Sequence, residues 1–338
     1  MPHGAEIVAR CEAAGVADIT VLSGDRLPPL GADNDRAAYV LAKCTLAVVV
    51  APPSKRRLQP IPPSADWRID LAQGCPAHCQ YCYLAGSLAG PPITRVYANL
   101  PEILAEMDDH VGRGNITSTS SERAHEGTTF EASCYTDPLA LERVTGSLSA
   151  TITHVGSHEW SAPVGLRLTT KFDDVTPLLD LPHAGRTRVR MSVNADEITR
   201  RFEGGTARLP RRVAALRRLA SAGYPIGLTI APIMPIPNWR NGYRILLRQV
   251  ADAVADVADL DLTVECITHR FTPASRDVLL GWYPNTKLDM EESARTRKFG
   301  KYGNVKFVYP HATMSELRSW FATELAKTLP TARTLYWT

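Results

Sequence analysis

The chain has no apolar run long enough to cross a membrane. Its longest, near 46–52, is far short of the ~18–20 residues a spanning helix needs. The opening MPHGAEIVARCEAAG lacks a basic start followed by an apolar core, so no signal peptide is expected and the expected location is cytoplasmic. Internal repeats and low-complexity tracts are also missing. Charge of one sign is scarce: 38 basic residues against 35 acidic ones leave +3. That permits nucleic-acid binding without requiring it. Lysine supplies only 8 of the 38 basic residues and arginine the other 30. Arginine suits bidentate phosphate contacts, but a GC-rich coding sequence gives the same excess. The seven cysteines (Cys11, Cys44, Cys75, Cys79, Cys82, Cys134 and Cys266) are odd in number, which excludes a simple disulfide framework for a chain of this size.

What is present describes a globular protein. Of 338 residues, 44% are hydrophobic and 22% charged, which excludes disorder, collagen and coiled coil as global descriptions. The length gives about two domains at ~150 residues each, although α/β barrels hold 200–250 residues in one. Residues 51–64 contain five prolines and are expected to be extended. They divide an N-terminal cap segment, 1–65, from the remainder, 66–338. The cap carries one strand-like run at 45–50, preceded by a helix.

From Trp67 onward, apolar or β-branched runs alternate with helical patterns. Strands are predicted at 69–74, 128–133, 164–170, 188–193, 225–230 and 262–268. Leu100, Ile103, Leu104, Met107 and Val111 follow a helical period, with Asn99 as N-cap and Pro101 in the first turn. Val213, Leu216, Leu219 and Ala220 do the same and stop at Gly223. Further helices are predicted at 243–257 and 315–329. Six strands with intervening helices predict an α/β fold, a partial (β/α)6 TIM-like barrel.

Three cysteines fall within eight residues, in Gly74-Cys75-Pro76-Ala77-His78-Cys79-Gln80-Tyr81-Cys82-Tyr83-Leu84. The spacing is C-x3-C-x2-C. Structural zinc closes a tetrahedron with four protein ligands, and only His78 stands near as a fourth. Three thiolates instead leave one iron of a four-iron cluster open to an outside ligand. Plain burial of the cysteines is the remaining alternative.

The predicted strand ends collect further polar groups, which is where barrels of this type place chemistry. They are Cys134, Tyr135 and Thr136 after the second strand, Lys171 after the third, and Ser192 and Asn194 at the fourth. Ala231 follows the fifth, and His269 and Arg270 follow the sixth.

The cysteine motif resembles the radical S-adenosylmethionine (radical SAM) superfamily. Further words are more specific: Phe-Glu-Ala-Ser-Cys, Thr-Lys-Phe, Ser-x-Asn-Ala-Asp, Ala-Gly-Tyr-Pro-x-Gly, Ala-Pro-Ile, His-Arg-Phe-Thr and Tyr-Pro-x-Thr-Lys-Leu. Together they resemble spore photoproduct lyase and its homologues, from about Asp66 to the C-terminus. The resemblance implies a partial barrel of the radical SAM type with a C-terminal basic hairpin and helix. It implies a carbon–carbon lyase that reverses a UV-induced dipyrimidine lesion through a 5′-deoxyadenosyl radical. Cys75, Cys79 and Cys82 would then hold a [4Fe–4S] cluster. Thr136, Lys171 and Ser192 would contact S-adenosyl-L-methionine, with Asn194 and Ala231 at the same site. Cys134 would donate the hydrogen atom, and Tyr81 and Tyr83 would serve radical relay beside the cluster. A weak S–H bond suits Cys134 to that role; its plain alternative is a small core hydrophobe.

A lesion inside a duplex must be extruded before it can react, so the expected partner is UV-damaged double-stranded DNA. The segment 295–306 carries Arg295, Arg297, Lys298, Lys301 and Lys306 without an acid, interleaved with Phe299 and Tyr302. It predicts a hairpin pressed against the duplex. Tyr302 and Lys301 match family positions near the lesion, with His269 and Arg270 expected to join them. Arg208, Arg211, Arg212, Arg217 and Arg218 read as a solvated helix face.

The chain departs from the family at Tyr135, where a small hydroxyl residue is usual, and at Lys301, where arginine is usual. These changes leave the spore photoproduct, a (6-4) product and its Dewar isomer open as lesions. A radical SAM enzyme with a non-DNA substrate and a non-catalytic iron–sulfur DNA-binding protein are the rival readings. A low-potential flavodoxin or ferredoxin is the expected electron donor. A monomer and no membrane association are expected.

Overall fold

The computed structural model describes residues 1–24, 26–88, 90–117, 119–299 and 305–338. In chain order its strands are β1 (Leu46–Val49), β2 (Gln59–Ile61), β3 (Ala65–Ile69), β4 (Ala72–Gln73), β5 (His78–Cys79), β6 (Thr94–Tyr97), β7 (Thr128–Ala132) and β8 (Val164–Thr170). They continue with β9 (Thr187–Val193), β10 (Glu203–Gly204), β11 (Ile226–Ile233), β12 (Leu262–Thr268), β13 (Thr296–Phe299), β14 (Val305–Val308) and β15 (Arg333–Trp337). The main sheet has eight strands in the order β15-β12-β11-β9-β8-β7-β3-β2. The chain forms two compact units, and β9 carries it from one to the other.

The first unit comprises Met1–Pro76, Pro91–Val189 and Ala222–Pro225. Here β3, β7 and β8 run parallel, with Trp67 opposite Phe130 and Phe130 opposite Leu166. Ile69, Phe130, Leu166 and Leu168 are fully buried, as are Ile152 and Val155 on the helix Ser147–Ser157. Such near-continuous burial is the mark of parallel strands covered on both faces. The N-terminal segment packs into this unit: Ile7 and Cys11 of the helix Pro2–Ala13 share a cluster with Ala72, Val96 and Leu141. A small sheet, β1-β6-β4, joins them.

Three expectations shift here. The first barrel strand is β3, not 69–74; residues 72–73 leave it and pair with β6. Asn99 precedes the helix Leu100–Ala105 but makes no side-chain cap. Its amide instead brackets Ala51, accepting from the Ala51 N–H at 2.8 Å and donating to the Ala51 carbonyl at 3.1 Å. The helix ends before Val111. The Pro-rich stretch is not wholly extended, because Pro53 begins a four-residue helix, Pro53–Arg56, a position where the missing N–H costs nothing.

The second unit comprises Ala77–Gly90, Arg190–Ser221 and Ile226–Thr338. Parallel β11, β12 and β15 form its sheet, with Thr229 opposite Glu265 and Glu265 opposite Tyr336. The helices Leu209–Ser221, Trp239–Val254 and His311–Thr328 supply Leu216, Leu246, Leu247, Val250 and Phe321 to its core. Gly223, with φ of +82°, follows the first of these, as its sequence position predicted. Five of the six predicted strands recur nearly in place, the first lies earlier as β3, and β2 and β15 bring the sheet to eight. Neither announces itself in sequence: β2 contains Pro60, tolerated on an antiparallel edge, and β15 is short and only half-buried. No helix among the described residues is long and apolar enough to cross a membrane.

Arg190 and Glu265 form a buried ion pair in the interior of the second unit. Arg190 Nη1 donates to both Glu265 oxygens at 2.8 and 2.7 Å. The Tyr336 hydroxyl donates to the same carboxylate at 3.0 Å and Thr229 Oγ1 at 3.3 Å. Removing one buried partner strands the other charge. Arg190→Met or Glu265→Leu alone is therefore expected to destabilise by about 3–5 kcal/mol, and the double substitution by less than the sum. Urea unfolding of the four proteins checks this.

Candidate active site

The division between compact units falls inside the cysteine motif, between Pro76 and Ala77. In the first unit, Gly74 precedes Cys75 with φ of +83°, and a Cβ there would lie 2.5 Å from the Ile93 carbonyl oxygen. Only glycine fits that approach. Lys43 Nζ donates to the Cys75 carbonyl. The ends of β3 and β7 are tied together. Ser133 N donates to Ile69 O at 2.7 Å, and Leu71 N donates to Ser133 Oγ at 3.1 Å. Parallel pairing then places Cys134 and Thr136 at one edge, beside the end of β8.

Asp137 organises that edge. It accepts from Thr170 Oγ1 at 2.8 Å, from Lys171 N at 2.7 Å and from Ala140 N at 3.3 Å, capping the helix Pro138–Thr145. Burial pushes its carboxyl up, while the hydrogen bonds from Lys171, Thr170 and Ala140 pull it down. Cys134 and Lys171 are half-buried. Thr136 Oγ1 is buried without a hydrogen-bond partner among the described residues, beside a small cavity lined also by Leu71, Ser133 and Ser147.

Tyr135, the departure from the family pattern, is pinned. Arg68 Nη1 donates to its hydroxyl at 2.7 Å, and the guanidinium lies 4.5 Å from the ring centroid. Arg68 also pairs with Asp70 at 3.4 Å. Asp70 is buried and its Oδ1 has no hydrogen-bond partner among the described residues. Burial raises its carboxyl to about 6, against the pull of Arg68 and Lys55.

In the second unit, Cys79 lies in β5 and Cys82 precedes the 3-10 turn Tyr83–Gly86. Glu203 and Gly204 of β10 pair with Cys79 and His78. Tyr81 donates its hydroxyl to Glu203. Burial and the Glu203 and Cys79 charges push Tyr81 well above the usual phenol range. Glu203 pairs with Arg212 at 2.5 Å, both side chains being wholly enclosed. Arg212 also donates to the carbonyls of Ala207 at 2.8 Å and Ser192 at 3.0 Å. Arg212 thus does not belong to a solvated helix face; a buried acid draws it inward.

Ser192 and Asn194 are buried at the end of β9, and Ala231 is half-buried on β11. The Asn194 amide donates to Pro232 O at 2.8 Å and accepts from the Tyr243 hydroxyl at 2.9 Å, so it braces neighbouring chain. Tyr83 is exposed. Arg270 is exposed, but His269 is only 2% exposed. Burial, then the Arg295 charge, lower its imidazole to about 3, so it is neutral. Arg297 and Lys298 are exposed on β13. Lys301 and Tyr302 lie outside the described residues. Glu203, Arg212, Asp70 and Asp137 were not singled out from sequence. Glu203 and Arg212 work through each other, Asp137 through backbone N–H groups and Asp70 through Arg68, and only Asp137, before Pro138, carries a local cap signal.

None of the seven cysteines is in a disulfide. Among the described residues no three His, Cys, Asp or Glu side chains are gathered as a metal centre. Three thiols gain nothing by converging without the metal they would share. The donor set itself, three soft sulfurs on one loop, fits an iron–sulfur cluster with an open iron, and the unpartnered Thr136 hydroxyl fits a polar ligand.

This parallel α/β sheet with three thiols on one loop defines a protein of the radical SAM class. A family model described as spore photoproduct lyase matches residues 1–338. Spore photoproduct lyase of Geobacillus sp. (strain Y412MC61) is 36% identical over 337 residues, covering 100% of this chain and 95% of that protein. The Bacillus subtilis (strain 168) enzyme is 35% identical over 337 residues, covering 100% and 94%. A solved spore photoproduct lyase complexed with dinucleoside spore photoproduct aligns with a TM-score of 0.89 at 35% identity, over 100% of this chain and 95% of that one. A mutant with bound AdoMet and the dinucleoside aligns equally well, at 34% identity and the same coverage. The chain belongs to the spore photoproduct lyase family.

The raised Asp70 carboxyl gives a signed pH effect. Between about pH 4 and 6 the folded chain holds a proton that the unfolded chain releases, so stability falls as pH rises through that window, by about 3 kcal/mol at most. Asp70→Asn is expected to flatten this slope in urea midpoints measured from pH 4 to 7.

Proposed function

We propose that this chain is a radical SAM DNA-repair lyase that returns spore photoproduct to two thymines. The single observation carrying the reading is a trio of thiols outside any disulfide, on one loop, in a chain that matches the family over its full length. Cys75, Cys79 and Cys82 would hold a [4Fe–4S] cluster. With S-adenosyl-L-methionine, that cluster supplies a 5′-deoxyadenosyl radical able to take a hydrogen atom from the lesion.

The remaining steps fall to the chain's own residues. Lys171 offers a cation and Thr136 a hydroxyl for the polar end of S-adenosyl-L-methionine. Ser192, Asn194 and Ala231 complete that site in this reading. Cys134 gives its S–H hydrogen to the product carbon radical and becomes a thiyl radical. Tyr81 and Tyr83 then serve relay, with Glu203 orienting the Tyr81 hydroxyl. Arg297 and Lys298, with Arg270, Lys301 and Tyr302, grip duplex DNA around an extruded lesion. His269 acts from beneath, through Arg295. A flavodoxin or ferredoxin supplies the electron, and a cytoplasmic monomer suffices because one lesion needs one pocket.

Anaerobic reconstitution, dithionite reduction and incubation with S-adenosyl-L-methionine and defined lesions test this. Loss of spore photoproduct together with 5′-deoxyadenosine is expected. Absence of 5′-deoxyadenosine sinks the enzyme reading, and cleavage without lesion loss points to another substrate. Because Tyr135 alters the surroundings of Cys134, (6-4) and Dewar products belong in the same assay. Cys134→Ala is expected to keep cleavage of S-adenosyl-L-methionine but divert the product radical to side products, read by chromatography. Unchanged repair would remove Cys134 from the mechanism.

A further inference from the structure

Arg295 heads the basic segment, yet its side chain is only 1% exposed. It cannot reach a phosphate. Its Nη1 donates to His269 O at 3.3 Å, and its Nη2 to Asp289 O at 3.0 Å and Asp289 Oδ2 at 3.3 Å. The guanidinium carbon lies 3.8 Å from the Tyr309 ring centroid and 5.7 Å from that of Phe271. Arg295 immediately precedes β13, and Tyr309 immediately follows β14. Both roots of the hairpin therefore meet on one planar cation.

Thr296, Arg297, Lys298 and Phe299 are all exposed, and among the described residues their strand pairing is across to β14. The second strand is tied once more, through reciprocal backbone hydrogen bonds between Phe271 and Phe307 at 3.2 and 2.8 Å. A two-stranded hairpin is marginal alone, so its direction is set at its root.

We propose that Arg295 is a positioning residue that aims the β13–β14 hairpin, so that it governs use of a lesion in duplex DNA more strongly than use of the isolated dinucleoside lesion. The inference rests on the lyase reading above. Lysine cannot replace the fork and stacked plane of arginine, so Arg295→Lys keeps the charge but releases the root. Tyr309→Leu removes the stacking partner, and Tyr309→Phe keeps the ring.

The test compares reconstituted wild type and these variants on a lesion-bearing duplex and on dinucleoside spore photoproduct, with duplex affinity measured against salt. Arg295→Lys and Tyr309→Leu are expected to weaken duplex binding about tenfold or more. They should also flatten its salt slope, because contacts made by other cations are lost. Turnover on the dinucleoside should fall several-fold less than turnover on the duplex, as expected if the fold and chemistry are intact. Tyr309→Phe should stay nearer to wild type than Tyr309→Leu. Unchanged duplex binding in Arg295→Lys and Tyr309→Leu overturns the proposal. A parallel loss on both substrates does so too, since it marks a general effect on the fold. Wild type that repairs neither substrate removes the lyase reading itself, and wild type that repairs only the dinucleoside removes duplex recognition. Both failures are distinct from that of the anchor.

Discussion

A buried cation cannot stand alone in a protein core, and in the second unit that constraint shapes the cysteine loop. Arg212 and Glu203 are both wholly enclosed, 2.5 Å apart. The pair satisfies the charge, and the remaining donors of Arg212 satisfy carbonyls at Ala207 and Ser192. Glu203 in turn accepts the Tyr81 hydroxyl and lies opposite Cys79 in the β5–β10 ladder. The loop between the second and third thiols is thereby held from below by electrostatics. Breaking such a pair costs several kcal/mol because it strands a charge, so the loop's conformation is tied to the integrity of the core beneath it.

In the first unit the organising constraint is parallel pairing. Parallel strands end on the same edge, and β7 and β8 bring Cys134, Thr136 and Lys171 there. Asp137 converts that proximity into order, binding the Lys171 N–H and the Thr170 hydroxyl while capping the next helix. Cys134 is half-buried and in no disulfide. Arg68, itself paired with Asp70, holds the neighbouring Tyr135 by its hydroxyl.

Much of this was legible in the chain. The strands at 128–133, 164–170, 188–193, 225–230 and 262–268 recur almost unshifted as β7, β8, β9, β11 and β12, because strands covered on both faces are rich in apolar and β-branched residues. The cysteine spacing is local and therefore visible. Asn99 misled because cap residues are also good ligands for distant backbone; here Ala51 wins. His269 read as a lesion contact and Arg295 as part of a DNA-facing segment because polarity in sequence does not reveal whether a partner waits inside. Together with Asp289 and Tyr309 they form a buried knot instead.

By itself the sequence determined the α/β alternation, the three-thiol loop, the polar strand ends and the basic segment near the C-terminus. Periodicity and motif spacing are short-range properties that survive without coordinates. Only the tertiary structure decided which charges are buried, which hydroxyls among the described residues lack a partner and which arginine lies enclosed. Those outcomes depend on pairs such as Glu203–Arg212, Arg190–Glu265 and Arg295–His269, whose members meet only once the chain between them has folded.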